Sequence, residues 1–466
     1  MKKVHLIGIC GTAMAALASM LQERGWQVSG SDAAAYPPMS DLLAARGIEV
    51  EPGYDGARLD QSFNLVVVGN VADRSNVEAV RAQALGLCCR SLPETLWYEF
   101  LLSSDRRLVV AGTHGKTTTA SMLAWSLESS GAEPSFMIGG ELKNFSTNYR
   151  LGRGVDFVLE GDEYNSAFFD RHAKFHHYRP THLIITGIEM DHIDLFSGID
   201  EIIEEFRTLI MALPANGLLV AAADCPVLKK LLPEAPCQVL TYGWSKGSDY
   251  RLSDYQALAD GGLISFRTPA NNQEELKVSA IGRHNGENAL AVVILLRALG
   301  FSQMAAAEGL GSFKGIKRRQ ELVGRCGESV YISDFAHHPT AISKTLAALR
   351  EHYPDHYLLA VFEPRTATSR RNLFQETLAG AFTAADEVLL APVYRLENLE
   401  ADEALDTKRL ATAIEDGSKP ARVVSHIDEL YDILKLRAGR KEVILLMSTG
   451  DFGGLFRRLA EDVWCE

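Results

Sequence analysis

Residues 108–119 read LVVAGTHGKTTT, an apolar strand that enters a glycine-rich turn and continues into a predicted helix over 118–129. The glycines allow backbone N–H groups to curl around phosphate oxygens, and the helix N-terminus adds partial positive charge. Lys116 is placed to reach the outer phosphates, and the Thr117 hydroxyl to coordinate Mg²⁺. A regular loop of this type has glycine at the position of Val110, so this loop is a variant. The stretch predicts a site for a nucleoside triphosphate.

The rest of the chain predicts an α/β fold. Short β-branched runs alternate with amphipathic segments over most of its length, which is typical of parallel sheets covered by helices. A length of 466 residues favours about three domains. Composition and the order of elements divide the chain into blocks at 1–104, 105–316 and 317–466.

Composition and charge exclude several classes of protein. With 47 Lys and Arg against 60 Asp and Glu, the net charge of −13 is unlike that of a nucleic-acid binder. The longest strongly apolar segment, 289–296, is too short to cross a bilayer. The short apolar stretch at the N-terminus runs straight into a glycine turn, so we expect no signal peptide there. The seven cysteines follow neither a disulfide nor a zinc pattern. We therefore expect a soluble cytoplasmic protein with no membrane or nucleic-acid partner.

Two residues behind the glycine-rich turn are candidate metal ligands. Glu160 ends one apolar run, and His192 follows another at 183–186. Residues just past the carboxyl ends of neighbouring parallel strands converge on one edge of the sheet. Mg²⁺ bound to a triphosphate needs hard oxygen ligands there. Taken singly, Glu160 is equally explained as a solvated loop acid, and His192 is better explained as a structural or surface histidine. Together behind a phosphate loop, the two residues favour a metal site.

A second glycine turn lies near the N-terminus. Gly8 and Gly11 join a strand to a helix that begins at Thr12, and Asp32 ends the next strand. This is half of a dinucleotide-binding fingerprint, with an acid placed for a ribose hydroxyl. Because the full motif is absent, a plain tight turn explains it nearly as well. If both turns bind phosphates, the pattern favours an enzyme that joins an activated group to a nucleotide-carried substrate.

The third block carries fewer signals. Its opening cations, 317–319, are typical of a solvated linker. His337 and His338 follow a strand, but no further zinc ligands stand at suitable spacing. Arg365 follows the strand 357–362 and fits either a substrate carboxylate or a structural ion pair.

Several of these segments together resemble the Mur ligase family, the ATP-dependent amide ligases of peptidoglycan metabolism. The resemblance extends from residue 8 to about 454. The matching segments are Ala-Gly-Thr-His-Gly-Lys-Thr-Thr-Thr at 111–119, Glu160-Gly-Asp-Glu-Tyr, Asp191-His192, Gly282-Arg-His-Asn285 with Asn288, Lys317-Arg-Arg319 and Asp334-Phe-Ala-His-His-Pro339.

The resemblance implies a Rossmann-like N-terminal domain for the uridine nucleotide, a central phosphate-loop ATPase domain and a Rossmann-like C-terminal domain for the amino substrate. It implies ATP and Mg²⁺ as cofactors, and Lys116, His192, Arg319 and His337 as catalytic residues. The implied ligand contacts are Gly8, Gly11, Thr12 and Asp32 for the UDP-sugar; Gly112, Thr113, His114, Gly115, Lys116, Thr117 and Thr118 for the ATP phosphates; Thr117, Glu160 and His192 for Mg²⁺; Asn288 for adenine, Arg319 for the γ-phosphate and Asp334 for ribose; and His337 and Arg365 on the amino-substrate side.

Two branches of the family fit the chain. One joins L-alanine to UDP-N-acetylmuramate in biosynthesis, and the other joins the recycled tripeptide L-Ala-γ-D-Glu-meso-diaminopimelate to it. The segments Tyr36-Pro-Pro-Met-Ser40, Phe168-Phe-Asp-Arg171 and Glu363-Pro-Arg365 resemble the tripeptide branch. Several other members of the family have a carbamylated lysine fifteen residues after the metal-site histidine. Both branches lack it, as does this chain with Arg207.

The family reaction has two rivals. The N-terminal turn alone fits a nicotinamide-dependent dehydrogenase, and the two turns together fit a UDP-sugar sensor switched by ATP. The dehydrogenase leaves Lys116, Glu160 and His192 unexplained. Multiple turnovers of amide formation would exclude the sensor. The resemblance therefore favours a ligase that acts through an acyl phosphate.

Overall fold

The computed structural model describes residues 1–35, 39–400 and 402–464. Tyr36–Pro38, part of one segment that resembles the tripeptide branch, lie outside the described residues. Two compact units are present. The first contains Met1–Ile188, Asp200–Tyr250 and Ala291–Gly309, and the second Glu189–Ile199, Arg251–Leu290 and Leu310–Glu466. Within the described part of the chain, no helix has both the length and the apolar character needed to span a membrane.

The first unit begins with a five-stranded parallel sheet in the order β3-β2-β1-β4-β5. This order is that of a Rossmann fold, in which ligands bind at the carboxyl ends of the strands, where the strand order reverses. The elements are β1 (Lys3–Ile7), α1 (Thr12–Glu23), β2 (Gln27–Asp32), α2 (Met39–Ala45), β3 (Val50–Pro52), β4 (Leu65–Val68), α3 (Val77–Ala84), β5 (Cys89–Ser91) and α4 (Leu92–Glu99).

A second sheet of the first unit runs in the order β14-β13-β12-β6-β9-β7-β8, parallel except for β8. Because β6 lies between β9 and β12, the segments that follow these three strands share one edge. The elements are β6 (Arg106–Ala111), α5 (Lys116–Ser129), β7 (Ser135–Leu142), β8 (Thr147–Arg150), β9 (Asp156–Glu160), β10 (Asn165–Ala167), β11 (Asp170–Ala173), α6 (Lys174–Tyr178), β12 (His182–Ile185), α7 (Ile199–Met211), β13 (Leu218–Ala222), α8 (Pro226–Leu231) and β14 (Gln238–Gly243).

An antiparallel run of three strands and two helices follows. The elements are β15 (Tyr250–Leu258), β16 (Gly261–Arg267), β17 (Gln273–Val278), α9 (Arg283–Ala298) and α10 (Gln303–Gly311).

The second unit contains a six-stranded sheet in the order β18-β19-β23-β20-β21-β22, parallel except for the edge strand β18. Alternate side chains of its strands enter two separate cores. Leu358, Ala360 and Phe362 pack with α11–α13, whereas Leu359 and Val361 pack with α14 and α15. The elements are β18 (Glu321–Cys326), β19 (Ser329–Asp334), α11 (Pro339–His352), β20 (Tyr357–Phe362), α12 (Gln375–Ala381), β21 (Glu387–Leu390), α13 (Thr407–Asp416), β22 (Ala421–Val423), α14 (Ile427–Arg437), β23 (Glu442–Met447) and α15 (Leu455–Asp462).

The predicted α/β architecture is confirmed, with helices on both faces of this last sheet. One predicted boundary is wrong in detail. Helix α5 begins at Lys116, two residues before the predicted start, because Gly115 has φ +82° and the chain enters the helix directly after it. The boundaries at 104 and 316 stay predictions.

Candidate functional site

The turn after β6 has the backbone shape that its glycines predict. Gly112 has φ +127°, and a Cβ there would lie 2.9 Å from the Gly187 carbonyl oxygen. The N–H of Thr113 donates to that same carbonyl at 2.9 Å. Any larger residue at position 112 would therefore push the turn away from the segment that follows β12. Only glycine tolerates both the positive φ and the close approach.

The remaining residues of the turn are held in place by the segment that follows β12. The Thr186 hydroxyl donates to the His114 carbonyl, and it also lies 3.3 Å from the Ala111 carbonyl. Thr118 follows in the first turn of α5, where backbone N–H groups have no partner within the helix. The structure thus places all seven residues predicted to bind phosphate, 112–118, on one loop and helix start.

The Lys116 ammonium lies inside this loop. It donates to the Gly112 carbonyl at 2.6 Å and lies 3.2 and 3.0 Å from the two carboxylate oxygens of Glu163. Only 12% of the Lys116 side chain and 4% of the Glu163 side chain are exposed. Burial lowers the pKa of Lys116, but the Glu163 and Glu160 carboxylates outweigh it, and the pKa lies above its usual value. Lys116 therefore carries its charge at neutral pH.

Glu160 lies beside the same loop, as its position at the end of β9 predicts. Its Oε1 accepts a 2.8 Å hydrogen bond from the Thr117 hydroxyl, and its Oε2 accepts one of 2.7 Å from the Gly139 N–H. Register explains the proximity, because Glu160 pairs with Val110 of the strand that leads into the turn. A hydroxyl and a carboxylate side by side are the hard oxygen donors that suit Mg²⁺.

Arg207, fifteen residues after His192, lies in helix α7. Its guanidinium pairs with Glu204 and lies 3.1 Å from Glu234. These carboxylates raise its pKa. Arg207 therefore takes part in a partly exposed ion-pair cluster.

The N-terminal glycine turn is tied to the end of β2. Gly8 has φ +80°, and its N–H donates to the Ser31 carbonyl at 2.8 Å. Asp32 accepts a 2.9 Å hydrogen bond from the Cys10 N–H. Gly11 and Thr12 are exposed at the start of α1. The structure thus brings the four predicted UDP-sugar residues together, and it shows that Asp32 also holds the turn itself.

A buried carboxylate that the sequence analysis missed lies beneath this turn. Glu78 is fully buried, accepts a hydrogen bond from the Ser31 hydroxyl and lies 3.4 Å from His5 Nε2. It also accepts from the Asp55 N–H at 3.0 Å and from Arg58 at 3.3 Å. Burial raises the pKa of Glu78, but these hydrogen bonds outweigh it and the pKa lies below its usual value.

In the second unit, Asp191 brings together His192 and His337. Its Oδ2 lies 3.9 Å from His192 Nε2 and 3.7 Å from His337 Nε2, and its Oδ1 accepts a 2.9 Å hydrogen bond from Thr368. Burial raises the pKa of Asp191, but the two histidines outweigh it and the pKa lies well below its usual range. His192 has φ +54°, a strained conformation for this residue type that is found preferentially at functional sites.

His338, the neighbour of His337, has a structural role. Its Nδ1 accepts a 3.2 Å hydrogen bond from the Thr340 N–H and thereby caps α11. Its Nε2 lies 3.1 Å from the Met190 carbonyl. The paired histidines therefore have different partners.

The residues predicted to bind adenine and ribose belong to one hydrogen-bond network. Asn288 donates to Asn285 at 3.2 Å, and Asn285 donates to the Gln320 side chain at 3.0 Å. The Gln320 N–H donates to Asp334 at 2.8 Å. Burial raises the pKa of Asp334, while the Arg319 charge opposes that rise. Asn288 and Asp334, 46 residues apart in sequence, are thus linked through Gln320.

The cations at 317–319 are not a fully solvated linker. Arg318 has φ +61° and donates to the Thr449 carbonyl at 3.3 Å. Arg319 lies with its guanidinium carbon 4.7 Å from the centre of the Phe335 ring. The expectation of a solvated linker is therefore wrong for these two arginines, because their guanidinium groups contact residues just beyond the ends of β23 and β19.

Arg365 lies on an aromatic face at the carboxyl edge of that sheet. Its guanidinium carbon is 3.7 Å from the centre of the Tyr394 ring, and its Nη1 is 3.6 Å from Glu363. Burial raises the pKa of Glu363, although the Ser448 hydroxyl and Arg365 oppose it. Of the two alternatives from the sequence, the ion pair is present. The flat, stacked guanidinium also has the geometry that binds carboxylates.

Glu163, Glu78 and Gln320 are among the residues at these sites to which the sequence assigns no role. For Glu163 a sequence signal exists, because it is an acid only three residues after the metal-ligand candidate Glu160. For the other two, no local sequence signal indicates the contact.

The chain matches three consecutive models of one protein family. The Mur ligase family catalytic domain matches residues 3–97, the Mur ligase middle domain 110–296 and the Mur ligase glutamate ligase domain 318–450. Together they extend across most of the described residues.

Curated relatives match over nearly the whole length. The UDP-N-acetylmuramate–L-alanyl-γ-D-glutamyl-meso-2,6-diaminoheptanedioate ligases of Escherichia coli and Haemophilus influenzae are 37% and 35% identical, over 98% and 99% of both chains. The UDP-N-acetylmuramate–L-alanine ligase of Rubrobacter xylanophilus is 34% identical over 96% of this chain and 97% of its own.

A solved structure shows the same similarity. The murein peptide ligase of Psychrobacter arcticus has a TM-score of 0.73 and 33% identity, and the match covers 99% of this chain and 98% of that one. From the family models and the full-length relatives, this chain belongs to the Mur ligase family.

Proposed function

We propose that this chain is an ATP-dependent ligase that joins the tripeptide L-Ala-γ-D-Glu-meso-diaminopimelate to UDP-N-acetylmuramate in peptidoglycan recycling. The observation that carries the proposal is the Lys116–Thr117–Glu160 arrangement, found in a chain that matches tripeptide ligases over its full length. A dehydrogenase would use neither a phosphate-loop lysine nor this carboxylate.

The loop 112–118 binds the phosphates of ATP. Its backbone N–H groups and the start of α5 provide dipoles directed at the anion, and Lys116 provides a full charge. Thr117 and Glu160 hold Mg²⁺, which supplies neutralisation of the phosphate charge when bound. The assignment of His192 to the same metal site stays a prediction, supported by its strained backbone and its contact with Asp191.

The reaction proceeds in two steps. The lactyl carboxylate of UDP-N-acetylmuramate attacks the γ-phosphorus, the bond to the β–γ bridging oxygen breaks, and ADP leaves. Lys116 stabilises the charge on the transferring phosphoryl group, and Arg319 is assigned the same task. The α-amine of the tripeptide then attacks the acyl carbon of the acyl phosphate, phosphate leaves, and the amine loses a proton to give the amide. His337 is our candidate for the group that accepts this proton.

The remaining assignments follow the predicted roles. Gly8, Gly11, Thr12 and Asp32 bind the UDP moiety at the switch point of the N-terminal sheet. Asn288 and Asp334 bind adenine and ribose, and their shared network supports a common ligand. Arg365 binds a carboxylate of the tripeptide, supported by its stacking on Tyr394.

The second candidate is the L-alanine ligase of peptidoglycan biosynthesis. The 34% identity to the Rubrobacter xylanophilus enzyme over 96% of this chain favours it. Both candidates share the chemistry of acyl-phosphate formation, so the amino substrate alone separates them.

The test is phosphate release from Mg-ATP and UDP-N-acetylmuramate with tripeptide, with L-alanine, or with neither. We expect multiple turnovers with the tripeptide, little with L-alanine and little with neither. Turnover with L-alanine alone would establish the second candidate. Phosphate release that is equal in all three mixtures would show ATP hydrolysis without ligation and would overturn both.

A further inference from the structure

We propose that Glu163 is a positioning residue that holds the Lys116 ammonium in the nucleotide-free protein and gives it up to the phosphates of ATP. The inference rests on the proposed function of the loop as an ATP site. Lys116 thus has two states, one paired with Glu163 and one paired with phosphate. Glu163 sets the free-energy difference between them.

The observation is a buried ion pair inside a phosphate loop. The Lys116 ammonium lies 3.0 and 3.2 Å from the two oxygens of Glu163, and 2.6 Å from the Gly112 carbonyl. An ammonium has three N–H donors. The two Glu163 oxygens and the Gly112 carbonyl are three acceptors for these three donors. Phosphate oxygens therefore become partners of Lys116 only by replacing one of these acceptors.

Glu163 and Glu160 differ in the contacts they make. Glu160 accepts from Thr117 and from the Gly139 backbone, which directs it toward the candidate metal ligands. Glu163 directs both of its carboxylate oxygens at the Lys116 ammonium. Its carboxylate is 4% exposed and lies in the loop between β9 and β10. Two carboxylates three residues apart thus face different partners.

Glu163 opposes ATP binding in two ways. It competes with the phosphates for the ammonium, and its negative charge repels them across a poorly hydrated space. Removal of this charge, with the shape kept, should therefore strengthen nucleotide binding. A residue with a purely structural role would have the reverse effect, because loss of a buried partner loosens the loop.

The chain provides a matched control one residue away. Asp162 also carries a negative charge in this loop, but its carboxylate pairs with Lys174 at 3.0 Å. The change Asp162→Asn removes the same charge from the same segment and leaves the Lys116 pair intact. It measures the effect of net charge alone.

The experiment is calorimetric titration of ATP, in EDTA so that no metal takes part, into the full-length wild-type protein, Glu163→Gln and Asp162→Asn. We expect Glu163→Gln to bind ATP about tenfold more tightly than the wild type, and Asp162→Asn to stay within about twofold. Equal or weaker binding by Glu163→Gln would overturn the inference, as would equal tightening in both variants.

A second variant and the wild-type titration complete the test. If Glu163→Gln does not fold, Glu163→Asp takes its place. The shorter side chain weakens the pair with Lys116, so this variant should also bind ATP more tightly than the wild type. Unchanged or weaker binding by that variant overturns the inference too. A wild-type protein that binds no ATP would contradict the proposed function itself, whereas normal wild-type binding without tightening in the variants contradicts only the role of Glu163.

Discussion

The Thr117 hydroxyl donates a 2.8 Å hydrogen bond to Glu160, a residue 43 positions further along the chain. The other oxygen of the same carboxylate accepts from the Gly139 backbone at 2.7 Å. Thr117 of helix α5 thus fixes one oxygen of Glu160, and Gly139 of strand β7 fixes the other. This fixation supports the choice of Thr117 and Glu160 as oxygen ligands for Mg²⁺.

The change Gly139→Ala tests that choice. A Cβ at position 139 would lie 2.9 Å from Glu160 Oε2, so the flexible end of Glu160 would have to move while the fold is kept. We expect the Mg²⁺ concentration for half-maximal ligation to rise about tenfold, with little change in melting temperature. Gly247→Ala is the control, because a Cβ there meets no atom within 4 Å. An unchanged Mg²⁺ requirement in Gly139→Ala would contradict the role of Glu160.

Lys116→Ala tests the phosphate loop. Loss of the ammonium removes a charge that stabilises the transferring phosphoryl group, so we expect ATP turnover to fall by about 10³-fold or more. Binding of UDP-N-acetylmuramate, measured by calorimetry without ATP, should stay close to that of the wild type. Amide formation at the normal rate in this variant would show that the loop has another role.

Arg365→Lys tests recognition of the tripeptide. A lysine keeps the charge but loses the planar fork and the stacking on Tyr394. We expect KM for the tripeptide to rise by about tenfold or more while KM for ATP stays constant. Arg395→Lys is a matched control, since that guanidinium lies over the same ring at 5.2 Å and is exposed. Equal effects of the two changes would assign Arg365 a structural role only.

Glu78→Gln tests the network beneath the N-terminal turn. Breaking a buried pair leaves charged partners without compensation, so we expect the free energy of unfolding to fall by about 3 kcal/mol. Because the pKa of Glu78 is lowered in the fold, its contribution is present above the unfolded pKa and is lost as pH falls through the folded value. Denaturant unfolding at pH 7 measures the loss. Glu51→Gln is the control: Glu51 lies 3.8 Å from the same Arg58, and its side chain is 38% exposed.

His182 should make the protein sensitive to acid. Burial, with a smaller contribution from Arg106, lowers its pKa to about 4, whereas an unfolded histidine has a pKa near 6.5. Between these values the unfolded chain binds more protons, so the free energy of unfolding falls as pH drops from about 6.5 to about 4.

The change His182→Gln should remove up to about 3 kcal/mol of this decrease. Thermal melts at pH 4.5 and pH 7 would show a smaller difference in this variant than in the wild type. His172→Gln, at a side chain that is 81% exposed, should leave the difference unchanged. A wild-type pH slope in His182→Gln would contradict the assignment.

The sequence predicts those site residues that lie at the end of a strand or directly after one. Glu160 meets Thr117 because β9 and β6 are parallel neighbours with Glu160 opposite Val110, and strand ends in such a sheet converge. The same rule places Asp334 and Arg365 at the carboxyl edge of the C-terminal sheet, where Asp334 and Phe362 both pair with Met447.

Other contacts depend on tertiary packing that no local pattern encodes. His5 and Glu78 are 73 residues apart and meet because the Glu78 side chain, at the start of α3, reaches His5 of β1 and Ser31 of β2. Gln320 contacts both Asp334 and Asn285 from a backbone with φ +46°, a conformation that no local pattern in the sequence predicts. The Lys116–Glu163 pair depends on the course of the loop after β9, which the residue types alone do not determine.

The central claim is that the tripeptide is the amino substrate. The most direct measurement offers L-alanine and the tripeptide together, at equal concentration, to the protein with Mg-ATP and UDP-N-acetylmuramate, and identifies the product by mass. We expect the tripeptide adduct to dominate, with formation of the adduct matched by release of phosphate. A product that consists mainly of the L-alanine adduct would contradict the claim and identify the chain as the biosynthetic ligase.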